Sequence, residues 1–214
     1  MNISVQPSDS DFAQALVALK EGGIVAYPTE TFYGLAVDPS NDRAIASLYE
    51  LKKREGHKAL SLLVPNIEYL SSCVSLCPSY EKLIDAFWPG PLTLIFPILP
   101  NVSAKLCSDR KDIAIRVSSN PIAQRLCISW GHAITTTSAN ISGESALVSA
   151  EEVKKLWGDR IDQILDGGVT PGGGASTIVR CNETKRECRI IREGAISCKE
   201  ISNILPSNYT ICKG

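Results

Sequence analysis

Strand-length apolar runs recur along this chain, with helical periodicity in several of the gaps between them. That alternation is the strongest constraint on its fold. Ile24-Val-Ala-Tyr27 stops at Pro28, and Leu60-Ser-Leu-Leu-Val64 stops at Pro65. Leu92-Thr-Leu-Ile-Phe96 follows a Trp88-Pro-Gly-Pro91 break, and Ile113-Ala-Ile-Arg-Val117 and Ala133 to Thr137 read the same way. Ser176-Thr-Ile-Val179 and Arg189-Ile-Ile-Arg192 complete the set.

The intervening segments carry helix signals. Phe12, Ala15, Leu16 and Leu19 repeat at helical spacing before Gly22-Gly23 stops the run. Ala44, Leu48 and Leu51 share one face of a helix expected over Asp42 to Arg54, and Tyr80 to Phe87 reads as another. Asn120-Pro121 opens a helix running to Ile128, since proline suits a first turn. Ser149 with Glu152 reads as a capping box opening a helix to Trp157, and Ser197 with Glu200 repeats the device.

The order is not strictly βαβ, and the strands near 176–180 and 189–192 are close enough to form a hairpin. The expectation is therefore an α/β fold with one twisted, mixed parallel and antiparallel sheet flanked by helices. No linker-like stretch, repeat or low-complexity run divides the chain, so residues 1–214 read as a single domain. Gly167 to Gly174 reads as a flexible loop inside it.

Composition excludes several classes of function. A net charge of −1 argues against broad electrostatic capture of nucleic acid. The N-terminus lacks a basic and apolar leader, and no apolar run is long enough for a membrane span. A cytoplasmic protein is expected. Eight cysteines occur without a Cys-x-x-Cys pair, and His57 and His132 do not stand at ligand spacing from them. Free thiols, several of them core fillers, are expected rather than disulfides or zinc.

Four segments carry chemistry. Pro28-Thr-Glu-Thr-Phe-Tyr-Gly34 leaves a buried strand, where α/β proteins bind ligands, and offers the hydroxyls of Thr29 and Thr31. Lys52-Lys-Arg54 with Lys58 places cations at a helix C-terminus. They either complement the helix dipole or curl over phosphate oxygens. Arg116 lies in an apolar strand and must meet an internal carboxylate or a ligand carboxylate. Thr135-Thr-Thr-Ser-Ala-Asn-Ile-Ser-Gly143 ends a strand in small polar groups that form either an ordinary turn or an anion-binding nest. Neither a Walker loop nor a Gly-x-Ser-x-Gly elbow is present.

Taken in order, these pieces resemble the Sua5/YciO/YrdC family: Tyr27-Pro-Thr-Glu-Thr-Phe-Tyr-Gly-Leu35, Lys52-x-Arg54 with Lys58, Trp88-Pro-Gly-Pro-Leu-Thr93, Ile113-Ala-Ile-Arg-Val117, Thr137-Ser-Ala-Asn-Ile-Ser-Gly143, Ser176-Thr-Ile-Val179 and Ile191-Arg-Glu-Gly194. The resemblance spans about residues 10–200. It implies a YrdC-like domain with a concave ligand cavity and no second C-terminal domain. The implied activity is L-threonylcarbamoyladenylate synthesis, a nucleotidyl transfer from L-threonine, bicarbonate or CO2, and ATP with Mg2+. Downstream threonylcarbamoyl-transfer proteins would then modify adenosine 37 of tRNAs. The competing readings are a structured-RNA-binding module and a YciO-like carbamoyl-transfer relative with another acceptor.

Carried over by position, Thr31, Arg116, Thr136 and Ser176 would hold threonine. Arg54, Lys58, Ser138, Asn140 and Arg192 would hold ATP, and Lys52 and Arg54 would be catalytic. No protein metal ligands are implied. The chain departs from the family pattern at Glu55-Gly-His-Lys-Ala59, at Thr136-Thr137 and at Asp112, which stands where a threonine is frequent.

Overall fold

Ten strands line up edge to edge in a computed structural model that describes residues 6–54, 60–97 and 112–214. In chain order the strands are β1 Val25–Pro28, β2 Tyr33–Ala36, β3 Ser61–Leu63, β4 Leu92–Pro97, β5 Asp112–Arg116, β6 Ile134–Ser138, β7 Gln163–Ile164, β8 Thr177–Asn182, β9 Glu187–Arg192 and β10 Thr210–Lys213. Across the sheet their order is β10-β9-β8-β4-β5-β3-β6-β2-β1-β7. Four parallel pairs (β3–β5, β4–β8, β9–β10, β1–β7) are interspersed with five antiparallel ones, which makes the sheet mixed, as the sequence implies. The expected hairpin is β8–β9.

Among the described residues six α-helices cover the sheet: α1 Asp9–Glu21, α2 Asp42–Leu51, α3 Pro78–Phe87, α4 Pro121–Trp130, α5 Ala150–Trp157 and α6 Cys198–Ile204. Their ends follow from local chemistry. Asn120 caps α4 by accepting from Ile122 and Ala123 amides, with Pro121 at the first position. Ser197 and Glu200 form the full capping box on α6. At α5 only half of the expected box forms. Ser149 accepts from the Glu152 amide, but the Glu152 carboxylate turns to the Val148 amide at 2.7 Å. Helix α2 ends at Leu51, three residues before the expected Arg54, because Lys53 adopts a positive φ of 49° and turns the chain.

The helices bury three apolar clusters. Tyr80, Leu83 and Ile84 of α3 and Ile201 of α6 pack on one sheet face against Leu92, Leu94, Phe96, Ile113 and Ile115. Phe12 and Leu19 of α1 meet Ile122 and Leu126 of α4 over Val25 and Tyr27. Leu48 of α2 and Trp157 of α5 pack over Ala26 and Leu35. Burying each such large side chain contributes roughly 1.5–3 kcal/mol.

Strand alternation then decides where the site lies. Leu92 and Leu94 face α3, so Thr93 faces the other way; likewise Ile113 and Ile115 face α3, and Arg116 faces away. Arg192 pairs with Ile178, and Ile178 pairs with Thr93. Thr93 and Arg116 stand one step beyond the Leu94–Ile115 pair. A row of side chains from four adjacent strands thus meets on the face opposite α3 and α6.

Among the described residues, seven cysteines are free thiols. Cys127, Cys181 and Cys188 are buried core fillers, and burial pushes the Cys127 thiol up to about 12. Cys107 and His57 lie outside the described residues.

Candidate active site

The row opens into a cavity of about 380 Å³. Every site residue expected from the sequence and within the described range, except Lys52, lines it: Thr31, Arg54, Arg116, Thr136, Ser138, Asn140, Ser176 and Arg192. Lys58 lies outside the described residues. Asp112 does not line the cavity; its carboxylate pairs with Arg180 at 2.5 Å.

The Thr29–Phe32 turn is built around one hydroxyl. Thr29 Oγ1 accepts from the amides of Thr31 and Phe32, donates to the Phe32 carbonyl at 2.7 Å and lies 3.0 Å from Thr31 Oγ1. Thr29 thus shapes the turn that presents Thr31. The glycine-rich 167–174 segment, expected to be flexible, is tied down beside this turn. Gly172 N donates to Thr31 O, Tyr33 Oη bridges Gly167 N and Gly168 O, and Thr170 N donates to Val148 O. Burial raises the Tyr33 phenol to about 12, so it stays protonated and can keep donating to Gly168.

Ser138 and Asn140 define the second wall. Ser138 Oγ donates to Asn140 Oδ1 at 2.5 Å, and Asn140 Nδ2 donates to the Glu144 carbonyl at 2.5 Å. Behind this turn sits Lys52, only 1% exposed. Its ammonium donates to the carbonyls of Ser138 and, at 2.6 Å, Asn140. The Lys52 carbonyl in turn accepts from Ser142 N at 3.0 Å. Lys52 therefore anchors the turn from behind, whereas Arg54 faces the cavity. Burial first, and then the neighbouring Arg54 charge, lowers the Lys52 amine to about 8.

The third wall is a network on β4, β8 and β9. Thr93 Oγ1 and Ser176 Oγ are 2.9 Å apart. Arg192 reaches Ser176 O through Nε at 3.1 Å and Nη2 at 2.8 Å, and its Nη2 also meets Ser176 Oγ at 3.1 Å. Burial, followed by the like charge of Arg116, lowers the Arg192 pKa.

Backbone contact fixes this wall from outside. A Cβ on Gly194 would lie 2.0 Å from the Ala175 carbonyl oxygen and 2.9 Å from the Ser176 carbonyl carbon. Gly194→Ala is expected to displace the Ser176 segment and destabilise the protein by about 2 kcal/mol. A thermal melt indistinguishable from the parent's would contradict that packing.

Arg116 completes the site. Its side chain is 5% exposed, and its Nη1 lies 3.5 Å from Glu30 Oε1. Both partners open to Arg116 in the sequence are therefore present, an internal carboxylate and an open cavity. Among the described residues no acceptor takes a hydrogen bond from the guanidinium, and its buried Nε is unsatisfied. A fork of charged donors without acceptors, beside hydroxyls and two more arginines, suits an anionic ligand.

Sequence reasoning did not single out Ser61, Thr93, Phe32, Glu144 or Ala146 as lining residues. Thr93 carried a usable signal, a lone hydroxyl between two buried leucines in a strand. Ala146 carried none.

Comparison with known proteins gives a consistent picture. The sequence profile of the Sua5/YciO/YrdC family, described as "Telomere recombination", matches residues 17–194. A threonylcarbamoyl-AMP synthase of Vibrio campbellii is 36% identical over 187 residues, covering 86% of this chain and 99% of that protein. One from Vibrio vulnificus is 39% identical over 163 residues, covering 75% of this chain and 88% of that protein. The crystal structure of P. abyssi Sua5 complexed with L-threonine superposes with a TM-score of 0.85 at 31% identity. It covers 94% of this chain, which spans 58% of the length of that Sua5 chain. With nearly the whole motif series inside the matched region, this chain belongs to the Sua5/YciO/YrdC family.

Proposed function

We propose that the protein is an L-threonylcarbamoyladenylate synthase. The observation that carries this reading is the buried Arg116 guanidinium, which lines the cavity without a hydrogen-bond acceptor among the described residues. An amino-acid carboxylate supplies the missing acceptors in a two-pronged geometry that suits a guanidinium. The relatives named threonylcarbamoyl-AMP synthase and the Sua5 complex with L-threonine support threonine as that amino acid.

In this reading Thr31, Thr136 and Ser176 flank the amino acid. Arg54, Ser138, Asn140 and Arg192 face the nucleotide, which enters as MgATP. The neutral amine of threonine attacks CO2 and gives up a proton to solvent, or attacks bicarbonate with net loss of water, to form a carbamate. A carbamate oxygen then attacks the α-phosphorus of ATP, the bond from that phosphorus to the α,β-bridging oxygen breaks, and pyrophosphate leaves. No covalent enzyme intermediate is required. The chain contributes alignment of two anions that repel each other in water, together with fixed positive charge around the transferring phosphorus. Magnesium, carried by the phosphates, supplies further charge neutralisation. Among the described residues no cluster of three His, Cys, Asp or Glu side chains is placed to hold a metal, so no protein ligand is assigned. The product is a labile acyl-adenylate, to be passed to a protein that transfers the threonylcarbamoyl group to tRNA.

The test is a panel of amino acids, each incubated with the protein, MgATP and bicarbonate. Pyrophosphate release and an adenylate of threonylcarbamoyl mass with threonine alone are expected. An equal response to every amino acid, or none to threonine, overturns the assignment.

A further inference from the structure

We infer that Glu30 is a positioning residue, which fixes the Arg116 guanidinium for an amino-acid carboxylate and is itself held by Ser118. The inference rests on the carboxylate-binding reading of the cavity.

Glu30 stands between two cavity residues, Thr29 and Thr31, yet does not line the cavity itself. Its side chain is 13% exposed. Oε2 accepts a short hydrogen bond from Ser118 Oγ. Oε1 faces Arg116 Nη1 at 3.5 Å without forming a hydrogen bond and has no other partner among the described residues. Ser118 is fully buried and anchored at the start of α4. Its Oγ accepts from Asn120 N at 3.2 Å, and its carbonyl accepts from Gln124 Nε2 at 2.6 Å. Asn120 is the N-cap of that helix. A chain of contacts therefore runs from a helix start through Ser118 and Glu30 to Arg116.

The physical role follows from what each contact leaves open. A guanidinium this deeply buried needs a counter-charge, or it turns towards solvent. Arg192, which also lines the cavity, adds like-charge repulsion to that demand. Glu30 supplies the counter-charge at Coulombic distance while using none of the hydrogen-bond donors. A carboxylate in full two-pronged contact would occupy the donors that the ligand requires. Ser118 keeps Glu30 from closing that gap by holding its other oxygen.

The test separates charge from shape. Glu30→Gln keeps the shape and can still accept from Ser118, but loses the counter-charge. Its KM for threonine is expected to rise about tenfold or more, with KM for ATP within about twofold of the parent. Glu30→Asp, which restores the charge at shorter reach, should recover part of the loss. Ser118→Ala should raise KM for threonine by a smaller factor, about threefold, and should add nothing further on top of Glu30→Gln. Tighter threonine binding in Glu30→Gln would mean that Glu30 merely competes with the ligand, and would overturn the inference. Equal rises in both KM values with a lowered melting temperature would show a purely structural role, and would also overturn it. A parent protein with no threonine response overturns the carboxylate reading and this inference with it. A parent that responds beside an unaffected Glu30→Gln overturns this inference alone.

Discussion

Arg116→Ala lowers kcat/KM for threonine by about a thousandfold, the equivalent of ~4 kcal/mol, if the guanidinium is the carboxylate anchor. Two losses combine in that figure. The ligand carboxylate loses a two-pronged charged contact, and the oriented near-attack geometry of the amine goes with it. The substitution also leaves Glu30 buried without its counter-charge, so the folded state weakens by about 3 kcal/mol. Activity is therefore to be measured well below the thermal transition, beside Arg116→Lys. Lysine keeps the charge facing Glu30 and so preserves most of the stability, but it lacks the planar fork. An intermediate loss of about thirtyfold is expected for it. Parent-like turnover of threonine by Arg116→Ala, with the chain shown to be folded, removes the anchor role.

The second large effect is expected at Lys52. In Lys52→Met the buried ammonium is replaced by an apolar chain of similar length, and the carbonyls of Ser138 and Asn140 lose their donor. Leaving these acceptors unsatisfied costs about 3 kcal/mol in total. The turn that presents Ser138 to the cavity loosens, and a displacement of ~1 Å there reduces turnover about a hundredfold. The amine also gives the stability a pH signature. In the unfolded chain it titrates near its ordinary value of 10.5, whereas in the folded protein it titrates at about 8. Between those values the unfolded state binds more protons, so stability rises with pH across the window. Below about 8 both states are protonated and the contribution is flat. The stability difference between the parent and Lys52→Met should therefore grow from pH 8 to pH 10 in urea denaturation. A difference independent of pH would mean that the amine is not buried as described.

Much of the architecture is legible in the sequence because strand ends are marked by covalent chemistry. Proline at 28, 65 and 91, and the Asn120-Pro121 cap, delimit elements whatever their tertiary surroundings. The strands that escape such reading are those made by pairing rather than by local pattern. Tyr33–Ala36 contains Gly34 and follows a hydroxyl-rich turn, so it reads as part of a ligand loop. It is a strand because Val25–Pro28 and Ser138-Thr137 lie on either side of it. Gln163–Ile164 is two residues long, and Thr210–Lys213 exists as an edge partner of β9.

The site divides in the same way. Hydroxyls and arginines at strand ends announce themselves, and Arg116 does so through its apolar neighbours. What each cation touches is a matter of long-range placement. Glu30 and Arg116 meet across a fold that no local pattern encodes. Lys52 and Arg54 share one short motif yet point to opposite sides of the Ser138 turn.

Arg116 and Arg192 stand on β5 and β9, with β4 and β8 between them, so their backbones are three inter-strand steps apart, ~14 Å. Backbone pairing acts as a ruler for this separation. Lengthening or shortening surface connections should leave untouched the span that a bound molecule must bridge, while a slip in strand pairing would shift one cation along the sheet against the other. Engineering this scaffold towards longer or shorter substrates would accordingly have to work through side-chain reach, because the lattice of strands sets the gauge.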